Sequence, residues 1–380
     1  MSLTQEQEID EIINDFKKIN IIDIEKKYYK DRLTFENINY IIKKINKCQS
    51  YDLIDKKIIF KILLNSMKNN KNLNDKIYYL SHGVHGITFQ PSLIYKNNTF
   101  EIYKNNFISK IINNNNNNNI IYNINKEYKI SNILKKLDPN NKYFIYIDEI
   151  YHSENITNLI IKKGYEINML SNYFTEIDIF KIFFNCLNGI EILKDNNILL
   201  LDIKSNNMLL NKSFENVFNL VFIDFSGELV VYKNNHLEIF IEKFCHHVHD
   251  YWPYEINKML SNYYEKKNKR INYKFYKNYS KKKINKKILI LNEVFDKHVM
   301  NDIKYNLKLF YEKVMIFQLG KTFKYLIKYI FNNDSENIKK LYKVMNNLVD
   351  ENYNDRYTLK KIKEKVTITT NNFDIYLKLK

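Results

Sequence analysis

Asp202, Lys204 and Asn207 fall within six residues of one another, and Asp224 closes the next apolar run. They stand in Leu200-Leu201-Asp202-Ile203-Lys204-Ser205-Asn206-Asn207-Met208-Leu209-Leu210 and in Val221-Phe222-Ile223-Asp224-Phe225. Phosphoryl transfer to a hydroxyl needs a carboxylate that accepts or orients the hydroxyl proton. It also needs oxygen ligands for a Mg²⁺ ion that offsets the phosphate charge. An Asp-x-Lys-x-x-Asn loop between two short strands presents such groups at one edge, and an Asp ending the next strand adds a hard metal ligand. Asp and Asn also end hairpin strands for purely local reasons.

These residues resemble the catalytic loop and metal-binding segment of eukaryotic-type Ser/Thr protein kinases. The resemblance implies that Asp202 is the catalytic base and that Lys204 is the lysine typical of Ser/Thr rather than Tyr kinases. It makes Asn207 and Asp224 the metal ligands, the latter in a DFG-like motif. ATP and Mg²⁺, or Mn²⁺ in its place, are the implied cofactors, and proteins the implied substrates.

Upstream, Ser81-His82-Gly83-Val84-His85-Gly86 fits a Gly-rich phosphate loop, with Gly83 and Gly86 letting the backbone approach phosphates; a plain β-turn would read the same. Lys110, in Phe107-Ile108-Ser109-Lys110-Ile111, resembles the strand lysine that pairs ATP phosphates. Its competitor Lys96 follows Gly86 too closely for a returning hairpin. Glu127 is the expected partner of Lys110. A hinge is expected near Lys163-Gly164-Tyr165-Glu166, with Glu166 among the cofactor-binding residues. The text from Gly86 to Leu93 and from Ile108 to Ile111 is similar to kinases of large cytoplasmic DNA viruses, the poxvirus virion Ser/Thr kinases and their giant-virus relatives.

Downstream, Tyr251-Trp252-Pro253-Tyr254-Glu255 resembles the APE motif that closes a kinase activation segment. In that family its glutamate pairs with a late arginine, here Arg356. A planar guanidinium gives two parallel bonds to a carboxylate, which lysine does not copy. Three departures stand out. Leu200-Leu201 replaces the usual His-Arg, which implies activity without a phosphate between Phe225 and Pro253. Ser226 replaces the DFG glycine. Met315, in Val314-Met315-Ile316-Phe317-Gln318-Leu319-Gly320, replaces an aspartate that anchors the catalytic-loop backbone, so apolar packing is expected there instead.

The elements that must position these residues follow from apolar spacing. Residues 1–75 read as a helical extension, with Ile12, Ile13, Phe16 and Ile19 and then Ile58 to Leu64 in helical register. Strands are expected at Ile77–Leu80, Ile87–Phe89, Leu93–Tyr95, Phe107–Ile112, Tyr143–Ile147, Leu159–Ile161, Ile198–Leu201, Met208–Leu210 and Leu220–Ile223. The asparagine run 113–119 reads as a loop, and a helix is expected over Glu127–Leu137. The expected fold is α+β and bilobal, protein-kinase-like: a small β-rich lobe over 76–165, a helical lobe over 166–380, and MgATP between them.

Composition sets the outer limits. The 380 residues carry a formal charge of +17, yet only Arg32, Arg270 and Arg356 among sixty basic residues are arginine. Nucleic-acid readers lean on arginine, so this argues against specific nucleic-acid binding; A/T-rich codon usage explains much of the lysine excess. Lysines cluster in an insert at about 262–290, which reads either as a solvated loop or as a dock for an acidic partner or anionic membrane surface. Cys48, Cys186 and Cys245 are too scattered for a disulfide framework. Cys245-His246-His247-Val248-His249-Asp250 could hold a metal but lacks a second ligand cluster. A polar start and the lack of an ~18-residue apolar run make a cytoplasmic setting the expectation. The alternatives are a pseudokinase scaffold, a small-molecule phosphotransferase of similar fold, and a basic nucleic-acid-binding module.

Overall fold

The computed structural model describes residues 59–63, 65–66, 77–82, 86–96, 99–113, 118–153, 156–171, 174–212, 218–225, 230–232, 251–266, 290–331 and 335–366. The helices expected before residue 58, Gly83, the Ser226-Gly227 pair, the Cys245–Asp250 cluster and residues 267–289 of the basic insert lie outside them. The fold is mixed α+β: an antiparallel five-stranded sheet in the N-terminal half, followed by a largely helical C-terminal part. The chain divides into two compact units. One takes the chain up to Lys136 with Ile145–Tyr165 and Asn211–Phe218; the other takes Leu137–Phe144, Glu166–Leu210 and the chain from Asn219 onward.

In the first unit β1 (Tyr78–His82), β2 (Ile87–Gln90), β5 (Phe107–Asn113), β7 (Ile156–Lys162) and β6 (Ile147–His152) pair in that order, while β3 (Leu93–Lys96) and β4 (Thr99–Ile102) form a separate hairpin. Alternation along a strand sends successive side chains to opposite faces, and β5 separates two cores in this way. Ile111 joins Ile87, Phe89, Leu93 and Phe100, together with Ile59, Phe60 and Leu63 from the residues before the sheet. Ile112 joins Ile147, Leu159 and Ile124 of α1 (Asn118–Leu137) on the other face. The hairpin is tied down by polar contacts. The Ser109 hydroxyl accepts from Leu93 N at 2.7 Å and donates to Leu93 O at 3.0 Å, and Ser66 Oγ accepts from Phe100 N at 2.8 Å.

Several expectations change here. The asparagine run is no uniform loop: Asn113 ends β5 and Asn118 already begins α1, which starts well before Glu127. Asparagine is a poor helix former, but packing of a helix face outweighs propensity. Tyr143–Ile147 is not a strand. The Asp138 carboxylate accepts the N–H groups of Lys142, Tyr143 and Phe144 at 2.9, 2.7 and 2.9 Å, which curls the chain, and β6 begins only at Ile147. Strand β4, and β11 (Val230–Tyr232) of the second unit, were not expected.

The second unit is organised around α6 (Leu307–Tyr329), buried without interruption from Phe310 to Gly320. A helix buried on every side is a core element rather than an amphipathic surface one. Packed in the same unit are α3 (Glu176–Asp195), α7 (Glu336–Leu348) and α8 (Leu359–Lys365). At Gly320 a Cβ would meet Leu348 Cβ at 2.7 Å, so glycine is what lets α6 and α7 approach. The short β8 (Ile198–Leu200) pairs with β11, and β9 (Met208–Lys212) with β10 (Phe218–Phe222). Among the described residues no helix is long and apolar enough to cross a membrane.

One polar cluster supports the five-stranded sheet. Glu149 on β6 pairs with Lys104 and accepts the Tyr103 and Tyr151 hydroxyls at 2.9 and 2.6 Å. The Lys104 contact, then the Tyr151 bond, hold the Glu149 carboxyl down at about 2 from an ordinary 4.5. A depressed carboxyl stabilises the fold above its unfolded value and loses that contribution as pH falls toward the folded value. Glu149→Gln should therefore lower the melting temperature above pH 5, and the gap to wild type should close as pH approaches 2. Thermal melts across that range check it; a gap constant with pH would refute the linkage.

Candidate active site

The candidate site begins where β8 runs out. Leu200, Leu201 and Ile203 are buried, and their side chains draw the loop backbone inward. A buried backbone needs partners for its polar groups, and three side chains distant in sequence supply them. Gln318 Oε1 on α6 accepts from Ile203 N at 3.0 Å, and Gln318 Nε2 lies 3.4 Å from Leu200 O. Thr322 Oγ1, one turn further on, donates to Ile203 O at 3.1 Å. Trp252 Nε1 donates to Leu201 O at 2.7 Å. The expectation that apolar packing replaced the anchor on α6 is corrected. Met315 is indeed fully buried, but Gln318 supplies the polar hold from the next turn of the same helix. An amide can donate and accept at once, which a carboxylate cannot.

Asp202 sits between these anchors, 5% exposed. Asn207 Nδ2 donates to its Oδ2 at 2.6 Å and to its carbonyl at 3.2 Å. Lys204 Nζ lies 2.9 Å from each carboxylate oxygen. The Tyr251 hydroxyl donates to Oδ1 at 2.7 Å. Burial first, and then this bond to Asp202, push the Tyr251 phenol well above its ordinary value. Asn207 ends a 3₁₀ turn, Ser205–Asn207, and its carbonyl accepts from Ile223 N at 3.0 Å. That bond brings Asp224, the next residue, to the same loop. Asp224 has φ 59, the left-handed region uncommon outside glycine, while Phe225 is buried edge-on to Phe144 at 5.8 Å.

Of the residues read from sequence, Lys204 and Asn207 both contact Asp202, and Asp224 follows Ile223, which lies just past β10 and is bonded to the Asn207 carbonyl. Lys110 and Glu127 belong to the first unit. Lys110 lies on the central strand β5, opposite Thr88 and Leu159, and shares its face with Ile112. That face is the one α1 covers through Ile124, and Glu127 lies on α1, buried. Gly86 precedes β2, where a Cβ would meet the Ile111 carbonyl oxygen at 2.7 Å, so close approach to β5 already requires glycine. Glu166 precedes the short helix α2 (Ile167–Leu170), in extended conformation.

Arg356 and Glu255 meet in the interior, with side chains 0% and 1% exposed. The fork is bidentate: Nη1 donates to Oε1, and Nη2 to Oε2 at 3.3 Å. Nε and Nη2 reach Asp350 O at 3.1 and 3.0 Å, and Nη1 reaches Lys313 O at 3.2 Å. Those five bonds use every guanidinium donor. Burial, then the neighbouring Arg356 charge, push the Lys313 amine below its ordinary value.

Sequence reasoning gave no role to Gln318 or Thr322, and none to Tyr251 and Trp252 beyond their place in a motif. A polar Gln318 inside the apolar run from Val314 to Leu319, and the chain's sole tryptophan beside it in function, were the available signals. Compared with protein-family models and with curated proteins, the chain matches none.

Two substitutions test these anchors. Gln318→Leu strips Ile203 N and Leu200 O of their partner and should cost ~1–3 kcal/mol for the stranded groups, read by urea unfolding. Arg356→Lys keeps the charge but not the fork, strips the Asp350 and Lys313 carbonyls of donors, and should cost ~1–3 kcal/mol, the scale of stranded buried groups. A change within 0.5 kcal/mol (roughly the surface-substitution range) in either would contradict the account.

Proposed function

We propose that the chain is an ATP- and Mg²⁺-dependent Ser/Thr protein kinase with a bilobal, protein-kinase-like fold, of the kind found in large cytoplasmic DNA viruses. The observation that carries this reading is the loop in which Asn207 and Lys204 hold the Asp202 carboxylate while the Asn207 carbonyl holds Ile223, the residue before Asp224. In this reading Asp202 accepts the proton of an acceptor hydroxyl, and Lys204 balances the charge beside it. Catalysis is then mainly positioning and electrostatics.

The donor set fits a hard cation. Asn207 spends its Nδ2 on Asp202, which leaves the amide oxygen, with the Asp224 carboxylate, as oxygen ligands for Mg²⁺. Bound Mg²⁺ supplies charge neutralisation on the phosphates. Lys110, with Glu127 holding it, is the proposed phosphate partner, Gly83 and Gly86 the proposed phosphate loop, and Glu166 a nucleotide-contacting hinge residue. Glu255 and Arg356 are structural. Protein substrates are proposed on the strength of Lys204 and the Pro253–Glu255 element, and docking to an acidic partner or anionic membrane surface is proposed for the lysine-rich insert.

Transfer of label from [γ-³²P]ATP to a mixed protein substrate should require Mg²⁺ or Mn²⁺ and fall about 10²–10⁴-fold in Asp202→Asn, the range expected for loss of a general base. Equal transfer by that variant, or none by wild type, would sink the proposal.

A further inference from the structure

Tyr251 gives Asp202 a donor it does not need for orientation. Asn207 already fixes Oδ2, and Lys204 spans both oxygens from within the same loop. The phenol comes from a segment nearly fifty residues further along the chain, and it binds the oxygen that Asn207 leaves alone. A hydroxyl donating to a carboxylate at 2.7 Å is the contact a general base makes with the hydroxyl it activates, within the ~2.6–3.2 Å reach such a step requires. The phenol therefore stands where an acceptor hydroxyl would have to stand.

We propose that the Tyr251 hydroxyl is an internal placeholder on Asp202: an incoming Ser or Thr hydroxyl displaces it, and until then it keeps water off the base. This rests on the kinase reading and deepens it. The surroundings suit a displaceable group. Trp252, the next residue, is fully buried and bonded to Leu201 O at 2.7 Å, with its own carbonyl accepting from Asn257 at 3.2 Å. The Tyr251 ring is only half-buried, edge-on to Trp252 at 6.3 Å and with Lys204 Nζ 5.7 Å from its centroid. The backbone is thus anchored next door. Its proton is held by burial and by the Asp202 charge, so the phenol is a poor nucleophile in its own right.

The reaction held in check is hydrolysis. A water oxygen would attack the γ-phosphorus, its proton passing to Asp202; the bond from phosphorus to the β–γ bridging oxygen would break, leaving ADP and phosphate. Removing the phenolic hydroxyl admits that water.

The test measures phosphate release without acceptor, and transfer to dephosphorylated casein, for wild type, Tyr251→Phe and Tyr251→Leu with [γ-³²P]ATP and Mg²⁺. Both variants should raise acceptor-independent hydrolysis about tenfold, as expected for losing a hydrogen bond to a charged group, and lower the casein KM. A purely supporting tyrosine would give slower transfer and unchanged hydrolysis; that result overturns the placeholder and leaves the kinase reading standing. Absence of transfer and hydrolysis in wild type overturns both. A second measurement needs no variant: saturating casein should increase N-acetylimidazole labelling of Tyr251, read by peptide mass mapping, and unchanged labelling counts against the placeholder.

Discussion

A stretch of backbone that cannot reach water dictates the rest of the second unit. Leu200, Leu201 and Ile203 are buried by their own apolar side chains, and an unpaired amide or carbonyl there would cost ~1–3 kcal/mol. Gln318, Thr322 and Trp252 remove that cost, and each belongs to an element fixed for other reasons. Gln318 and Thr322 are carried by α6, whose middle is packed on every side. Trp252 lies three residues before Glu255, which the Arg356 fork locks in place. A line of constraint therefore runs from Arg356 through Glu255 and Trp252 to Leu201, and ends on Asp202. The buried pair alone would be a doubtful stabiliser, since removing two charges from water can outweigh their attraction. Five donors, all matched to acceptors, and Phe317 beneath the guanidinium at 4.8 Å shift that balance.

Much of the strand content was legible because it is written in local apolar runs. β5, β7 and β8 are continuous enough to read directly, as is the division between a sheet-rich first part and a helical second. Tyr143–Ile147 shows where that logic ends. Its residues are apolar and Phe144, Ile145 and Tyr146 are buried, yet Asp138 captures three successive N–H groups and prevents an extended ladder. Burial was readable, but the hydrogen-bond partner was not. β4 and β11 are short, and they become strands only through β3 and β8 respectively.

The candidate site divides along the same line. Lys204 and Asn207 both contact Asp202 within a few residues, so spacing alone brought them together. Glu255 and Arg356 are far apart in sequence, but the scarcity of arginine made the second stand out. Gln318 binds a loop more than a hundred residues away, and no local pattern encodes such a contact. Met315 stands where the resembled kinases carry an aspartate, but the polar residue lies one turn further along the same helix, at Gln318. Tyr251 was overlooked for a related reason: thirty other tyrosines make any one of them uninformative until its hydroxyl is placed.

Asp224 shows how this scaffold sustains local strain. A non-glycine residue in the left-handed region costs ~1–2 kcal/mol. The residues on either side of Asp224 help to offset it. Phe222 N donates to Tyr143 O at 2.9 Å and Ile223 N to Asn207 O at 3.0 Å, so the chain entering Asp224 is fixed. Phe225 is wedged beside Phe144 with 1% exposure, so the chain leaving it is fixed as well. Burial of a phenylalanine contributes ~1.5–3 kcal/mol, more than the conformational cost. With both sides held by packing, Asp224 makes the turn between them at φ 59. The strained residue is the acidic one because the core claims its neighbour's ring, and the carboxylate remains at the loop that holds Asn207.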